Sequence, residues 1–351
     1  KAWFGDVHVH TAASYDATSF GVTTTVDDAY SFARGAALPL ALEGDAPDFQ
    51  APELQISSPL DFMAVTDHAE SLGETRLCYV DGDPAYGSLV CKLYRGDVHL
   101  PVEDKLQSLV RLASFAIFGQ DRSTRICGAN GSRCRDEAIA VWRDNQRSTE
   151  AWHDYSEQQE MAALRAKLEP LAEVMQIKGD SECRNGIASV MGAPDEFCDF
   201  EKLRPASEVI PDCGEEFGSG GMLLKGCASR YSYVRYALTA GLSELGKLGV
   251  NPFKLGIIAS TDTHIGASAP EQEKNYQGSH GNDRALQDRL LSKIEVPGDV
   301  ATGSPVRFNP GGVAGVYARE NSRSALFDAM RRRETFGTSG PRITPRLFAG
   351  W

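Results

Sequence analysis

Trp3-Phe4-Gly5-Asp6-Val7-His8-Val9-His10-Thr11 decides the fold of this chain. A short apolar stretch runs straight into two histidines spaced two apart. In a strand, alternate side chains share a face, so both imidazoles can reach one ion. The same design recurs three times. Pro59-Leu60-Asp61-Phe62-Met63-Ala64-Val65 ends in Thr66-Asp67-His68, and Lys254-Leu255-Gly256-Ile257-Ile258-Ala259-Ser260 ends in Thr261-Asp262-Thr263-His264. A fourth run, Leu171–Ile177, ends in Lys178-Gly179-Asp180-Ser181-Glu182. Continuous apolar runs of this length, bounded by polar turns, read as buried parallel strands. Helices are predicted between them. Thr25-Val26-Asp27-Asp28 leads into Ala29–Ala33, and Tyr231–Leu248 carries apolar residues at helical spacing. Asn321-Ser322 caps Arg323–Arg333, whose terminal arginines suit the negative end of the helix dipole. Strands alternating with helices predict an α/β fold, either a β/α barrel or an open sheet, with the active site at the carboxyl ends of the strands.

Outward from these motifs, the 351 residues would make about two domains at roughly 150 residues each, although α/β barrels of this size often fold as one. Hydrophobic residues at 42% and charged residues at 24% belong to a globular protein rather than a disordered one. The net charge of -12 argues against a nucleic-acid duplex as partner, because phosphates need a basic face. It leaves a small anionic substrate open, since a pocket can carry local charge of the other sign. No apolar run approaches the length of a membrane span. The eight cysteines fall as near neighbours: Cys78 with Cys91, Cys127 with Cys134, Cys183 with Cys198, and Cys213 with Cys227. None has a tight zinc spacing, so disulfides in an oxidising compartment, periplasmic or secreted, are expected. The abrupt opening on a strand predicts that an upstream leader has been removed.

The stretch from about Gly73 to Ser156 breaks the strand–helix rhythm. It holds half the cysteines, the turn Asp81-Gly82-Asp83-Pro84 and an apolar helical segment around Leu106–Phe118, and reads as an insertion over the barrel rim. Asn130-Gly131-Ser132 fits a glycosylation sequon and equally a plain turn. Gly214–Gly226 is glycine-rich but lacks the Lys-Ser/Thr of a phosphate loop.

His8, His10, His68 and His264 account for four of the seven histidines, and Asp67 and Asp262 stand beside them. Histidine mixed with carboxylate suits zinc, manganese or iron, and a carboxylate can bridge two ions. The aspartates alone could be helix caps, but that would not explain the histidines next to them. Asp16, after Ser14-Tyr15, is a further ligand candidate. Lys178, His280 and Arg342 are candidates to hold an anionic group or protonate a leaving oxygen. His99 and His153, inside the insertion, read as structural or exposed. The Gly-x-Ser-x-Gly elbow of serine hydrolases is absent.

Phe4–Thr11, Ser14-Tyr15-Asp16-Ala17, Thr66-Asp67-His68 and Ser260–His264 resemble the motifs of the polymerase-and-histidinol-phosphatase (PHP) hydrolases. The chain is most similar to the bacterial PHP-like family named only as domain of unknown function 3604. That similarity extends over Asp27-Asp28-Ala29-Tyr30, Gln176–Glu182, Leu248–Lys254, Asn275–Gly281 and Arg333–Arg342. The resemblance implies a single domain over 1–351, a distorted, TIM-like β/α barrel of PHP type, with two or three divalent metal ions at the carboxyl ends of its strands. It places His8, His10 and Asp262 at one ion and Asp16, His68 and His264 at another. The chain departs from the pattern between Trp152-His153-Asp154-Tyr155 and Met161-Ala162-Ala163-Leu164, where relatives carry a bridging Glu and two more histidines; no histidine occurs from Asp154 to Thr263. Family segments are therefore expected to be missing near 156–160 and after 351. Glu182 is a candidate to supply the carboxylate or to touch substrate. The resulting expectation is metal-assisted hydrolysis of a phosphoester. The alternatives are a sulfate ester, carboxyl ester or amide at the same site, or a secreted binding protein without turnover.

Overall fold

The computed structural model describes residues 1–43, 45–68, 72–98, 101, 110–111, 124–145, 158–183, 198, 213, 233–268, 278, 310–348 and 350. In chain order its strands are β1 (Ala2–Asp6), β2 (Leu38–Pro39), β3 (Glu53–Leu54), β4 (Phe62–Met63), β5 (Leu171–Glu173), β6 (Met175–Gln176), β7 (Gly179–Asp180), β8 (Gly256–Ile258), β9 (Val313–Tyr317) and β10 (Thr335–Thr338). Its helices are α1 (Tyr15–Ser19), α2 (Val26–Ala33), α3 (Leu72–Tyr79), α4 (Leu89–Arg95), α5 (Thr124–Cys127), α6 (Ser132–Asn145), α7 (Gln158–Leu168), α8 (Val234–Leu248) and α9 (Arg323–Arg331).

All four apolar runs form strands, each shorter than its run, and they are parallel. β1 pairs parallel with β4, Gly5 opposite Phe62. Glycine is needed there, because a Cβ on Gly5 would lie 2.3 Å from the Phe62 ring. β5 pairs parallel with β8, Leu171 opposite Gly256. A parallel bridge between Val9 and Thr263 joins the continuation of β1 to that of β8. Besides the two-residue strands β2, β3 and β7, two longer strands lie outside the sequence expectation. β9 runs antiparallel to β1, and β10 antiparallel to β9, giving the sheet order β10-β9-β1-β4. The Leu171–Ile177 run is also not one strand: its second half, β6, folds back on β7 as a hairpin. Among the described residues the strands form this four-stranded sheet and three pairs, not a closed ring.

The helix caps follow the sequence. Thr25 accepts from the Asp28 amide and Asp28 returns the bond to Thr25, a full capping box. Ser322 accepts from the Ala325 amide at the start of α9. Ala17, Val22, Phe32, Leu38, Leu40, Ile56, Ile265 and Ala267 make one core behind the carboxyl ends of β1 and β8. Val316, Ala318, Leu326 and Ala329 make another, where α9 covers β9. Within 73–156 lies a separate core of Leu77, Cys78, Ala85, Cys91, Tyr94, Ile126, Cys127 and Cys134. Its half-cystines form the expected bridges Cys78–Cys91 and Cys127–Cys134. Cys183–Cys198 is also bridged, and Cys213 is in a disulfide, while Cys227 lies outside the described residues. Most of the expected Leu106–Phe118 helix, the Gly214–Gly226 loop, His99 and His153 also lie outside them. Among the described residues no helix is long and apolar enough to cross a membrane.

Candidate metal centre

The residues just past β1, β4 and β8 are laced together by backbone bonds. The Asp262 amide donates to the His8 carbonyl at 2.9 Å, the His10 amide to Thr263 at 2.8 Å, and the Thr66 amide to Val9 at 2.8 Å. Asp6, fully buried at the end of β1, accepts from the Thr261 hydroxyl at 2.5 Å and from the Thr261 and His8 amides at 3.2 Å. Burial lifts its carboxyl to about 7, despite those donors. Asp262 has φ 55, in the left-handed region that few non-glycine residues adopt. Such backbone persists where the surroundings over-determine it.

This lacing gathers two overlapping groups of possible ligand atoms, each within 4.8 Å of one another: His8, His10 and Asp262, and His10, Asp16, His68 and His264. His10 is buried between them, its ring stacked on His264 at 4.1 Å and on His68 at 4.7 Å between centroids. His8 and His68 form the open side, with side chains 30% and 31% exposed.

The imidazoles are held in one orientation. His264 donates Nδ1–H to the Asp262 carbonyl at 2.9 Å and turns Nε2 to Asp16 Oδ2 at 3.0 Å. His8 sets Nδ1 3.1 Å from both Glu173 oxygens and Nε2 3.2 Å from Asp262 Oδ1. His10 sets Nδ1 on Ser14 Oγ at 2.8 Å and Nε2 on Asp262 Oδ1 at 3.0 Å. His68 Nε2 lies 3.2 Å from Asp16 Oδ2. A neutral imidazole has one N–H. His8 and His264, each between two acceptors, therefore call for a second positive centre, either an added proton or a cation.

In the protein alone the electrostatics answer with a proton at His8. Burial disfavours charge on His8, but the Glu173 hydrogen bond and the Asp262, Glu173 and Asp6 carboxylates outweigh it and raise the imidazole to about 9. Burial dominates at His10 and takes it down to about 4. Burial would raise Asp16 and Asp262, yet hydrogen bonds from His264 and His68 to the first, and from His10 to the second, hold both below the usual carboxylate range.

The other candidates are placed elsewhere. Asp67 is in neither ligand group: its Oδ1 accepts from the Thr11 amide at 2.6 Å and its Oδ2 from the Thr11 hydroxyl at 2.9 Å. It braces the loop that carries His10, and burial raises its carboxyl. Lys178 is exposed in the turn between β6 and β7. Glu182 is exposed and paired with Arg235 at 2.5 Å. Arg342 clamps the Ser58 and Pro59 carbonyls at 2.6 and 2.9 Å, at the amino end of β4, away from the histidines. His280 lies outside the described residues. Sequence reasoning missed Glu173 and Ser14. Glu173 had a signal, as the one charged residue inside the Leu171–Ile177 run, which burial tolerates only with a partner. Ser14 had none; its Oγ meets His10 and also accepts from the His68 amide at 2.8 Å. A third group, Glu74, Cys127 and Cys134, offers no thiolate, because both sulfurs are in the disulfide.

The family model described as "Protein of unknown function (DUF3604)" matches residues 1–157 and 147–351. The chain belongs to that family. The two matched stretches meet at 147–157, beside the departure at Trp152–Met161. No curated protein and no solved structure matches the chain.

Proposed function

We propose that this protein is a metal-dependent hydrolase of small anionic esters, a phosphoesterase built on a β/α barrel of PHP type and working in an oxidising compartment. One observation carries the reading. The Nδ1 atoms of His8, His10 and His264 are each occupied by an oxygen, while their Nε2 atoms converge on the Asp262 and Asp16 carboxylates. Histidines that bind metal have this outer bond, which fixes the tautomer and turns the free nitrogen inward.

The donor set fits divalent zinc, manganese or iron. His8, His10 and Asp262 would hold one ion, and Asp16, His68 and His264 a second. When bound, such ions supply an activated water near neutral pH and positive charge opposite the negative charge that develops on an attacked ester. The chain's own residues do the rest. Glu173 and Ser14 orient His8 and His10, Asp67 braces the loop that carries His10, and the partly exposed faces of His8 and His68 leave the side from which a substrate enters. An anionic substrate suits two cations despite the net charge of -12.

The test is elemental analysis of the purified protein together with turnover of a panel of phosphate mono- and diesters. Two ions per chain with phosphoester turnover is the expected result, with the His8–His10–Asp262 ion and the turnover lost in His8→Ala and Asp262→Ala. Turnover of sulfate or carboxyl esters alone would move the reading to those bonds. Full activity in either variant would overturn the site.

A further inference from the structure

We infer that the disulfide-stapled lobe is the scaffold of the second ion position only, with Tyr94 as its positioning residue, so that a chain without the Cys78–Cys91 bridge holds one ion rather than two. This rests on the two-ion reading above. The two ligand groups are supported differently. His8, His10 and Asp262 stand on the extensions of β1 and β8, held by the Asp6–Thr261 bonds and the Val9–Thr263 bridge. Asp16 and His68 stand on segments that are tied to the β1 end, through Ala17 in its core and the His68 amide on Ser14 Oγ, and that also adjoin the lobe. Asp16 lies in α1, a helix of five residues, too short to be stable alone. In the same turn the Thr18 hydroxyl donates to the Ala12 carbonyl at 2.5 Å and also meets the hydroxyl of Tyr94, a buried residue on α4 of the lobe. His68 precedes α3, and α3 lies so close to α6 that a Cβ on Gly73 would fall 2.0 Å from the Cys134 carbonyl. Cys78 on α3 is bridged to Cys91 on α4, one turn before Tyr94. Arg111 completes the attachment, donating to the Tyr94 carbonyl and to the Glu43 carboxylate, both at 2.8 Å. Among the described residues, four of the eight in the lobe core are half-cystines, and the Cys78–Cys91 bridge ties α3 directly to α4.

The experiment uses the whole chain and Mn²⁺ as the probe, because manganese prefers oxygen and imidazole to sulfur. Manganese is titrated into wild type, the double variant Cys78→Ser/Cys91→Ser, and Tyr94→Phe, with binding followed by equilibrium dialysis and paramagnetic resonance. Wild type is expected to take two equivalents and give the signal of a coupled pair. The double variant should keep the first equivalent at wild-type affinity, bind the second at least tenfold more weakly, and show the signal of a single ion. Tyr94→Phe, with both disulfides intact, should weaken the second equivalent several-fold and leave the first unchanged. Retention of the first equivalent also shows that the rest of the chain is folded. Two equivalents of unchanged affinity in both variants would overturn the inference and leave the two-ion reading standing. Loss of both equivalents together would overturn it too, since the lobe would then support the whole centre. A wild type that binds no manganese, zinc or iron would sink the metal reading itself.

Discussion

Asp67→Ala separates a ligand from a brace. Thr11 is fully buried, and its amide and hydroxyl both donate to Asp67, at 2.6 and 2.9 Å. Truncation leaves two buried donors without that acceptor. One orphaned buried group costs about 1–3 kcal/mol, and a bond to a charged acceptor contributes about 1.5–3. Against this stands the desolvation of Asp67, visible in its raised carboxyl. The net expectation is a loss of about 3 kcal/mol in the ion-free protein, read as a lower urea midpoint at unchanged slope. Asp67→Asn keeps one oxygen for the Thr11 amide and should recover about half of that loss. Manganese stoichiometry should stay at two equivalents in both variants, because Asp67 belongs to neither ligand group. An Asp67→Ala protein that is as stable as wild type without metal but takes one equivalent fewer would refute the argument, and would make Asp67 the ligand that its place in Thr66-Asp67-His68 first implied.

Three further outcomes follow from the same geometry. His8 rises from 6.5 to about 9 on folding, so its contribution to the ion-free fold is complete below pH 6.5 and is lost as pH climbs through 9. The thermal midpoint without metal should therefore fall over that interval, by no more than about 3 kcal/mol of stability, whereas saturating Mn²⁺, which needs the deprotonated imidazole, should make it rise. A midpoint moving the same way in both conditions would contradict the assignment of His8. Glu173→Gln and Ser14→Ala remove outer partners of His8 and His10 and should each weaken manganese binding about 10- to 100-fold; dialysis with unchanged affinity would exclude the orienting role. Arg342→Ala should leave metal affinity and turnover intact and cost about 1–2 kcal/mol of stability through the lost carbonyl clamp, so a large rise in KM would return Arg342 to the substrate.

The part of the site that was legible in the sequence is the part attached to strand ends. A strand run followed by His-x-His, Asp-His or Asp-x-His announces both its burial and its chemistry, and His8, His10, Asp16, His68, Asp262 and His264 do meet. The near-neighbour cysteine spacing likewise marked the Cys78–Cys91, Cys127–Cys134 and Cys183–Cys198 bridges. Roles that depend on a tertiary contact were not legible. Lys178, Glu182 and Arg342 stand out in the sequence because they follow apolar runs or lie in a matched segment, and the structure places them in a turn, in an ion pair with Arg235 and on the Ser58 and Pro59 carbonyls. β9 and β10 were missed because antiparallel strands at this end of the chain break the βα alternation on which the reading relied.

Asp262 draws these threads together. Its φ of 55 carries a cost of about 1–3 kcal/mol for a non-glycine residue. The turn does something specific. It lets the Asp262 amide reach the His8 carbonyl while the Asp262 carbonyl accepts from His264 Nδ1 and the side chain meets His8 and His10 Nε2. One residue thus orients histidines of both ligand groups, through its backbone for one and its carboxylate for the other. Glycine at 262 would relieve the strain and keep the backbone bonds, whereas asparagine would keep the shape and lose the charge. If the strain serves the centre, Asp262→Gly should be close to wild type in ion-free stability yet lose the His8–His10 equivalent, and Asp262→Asn should retain the fold while binding that equivalent far more weakly. A glycine variant that still binds both ions would show that the carboxylate is dispensable and the turn alone sets the site.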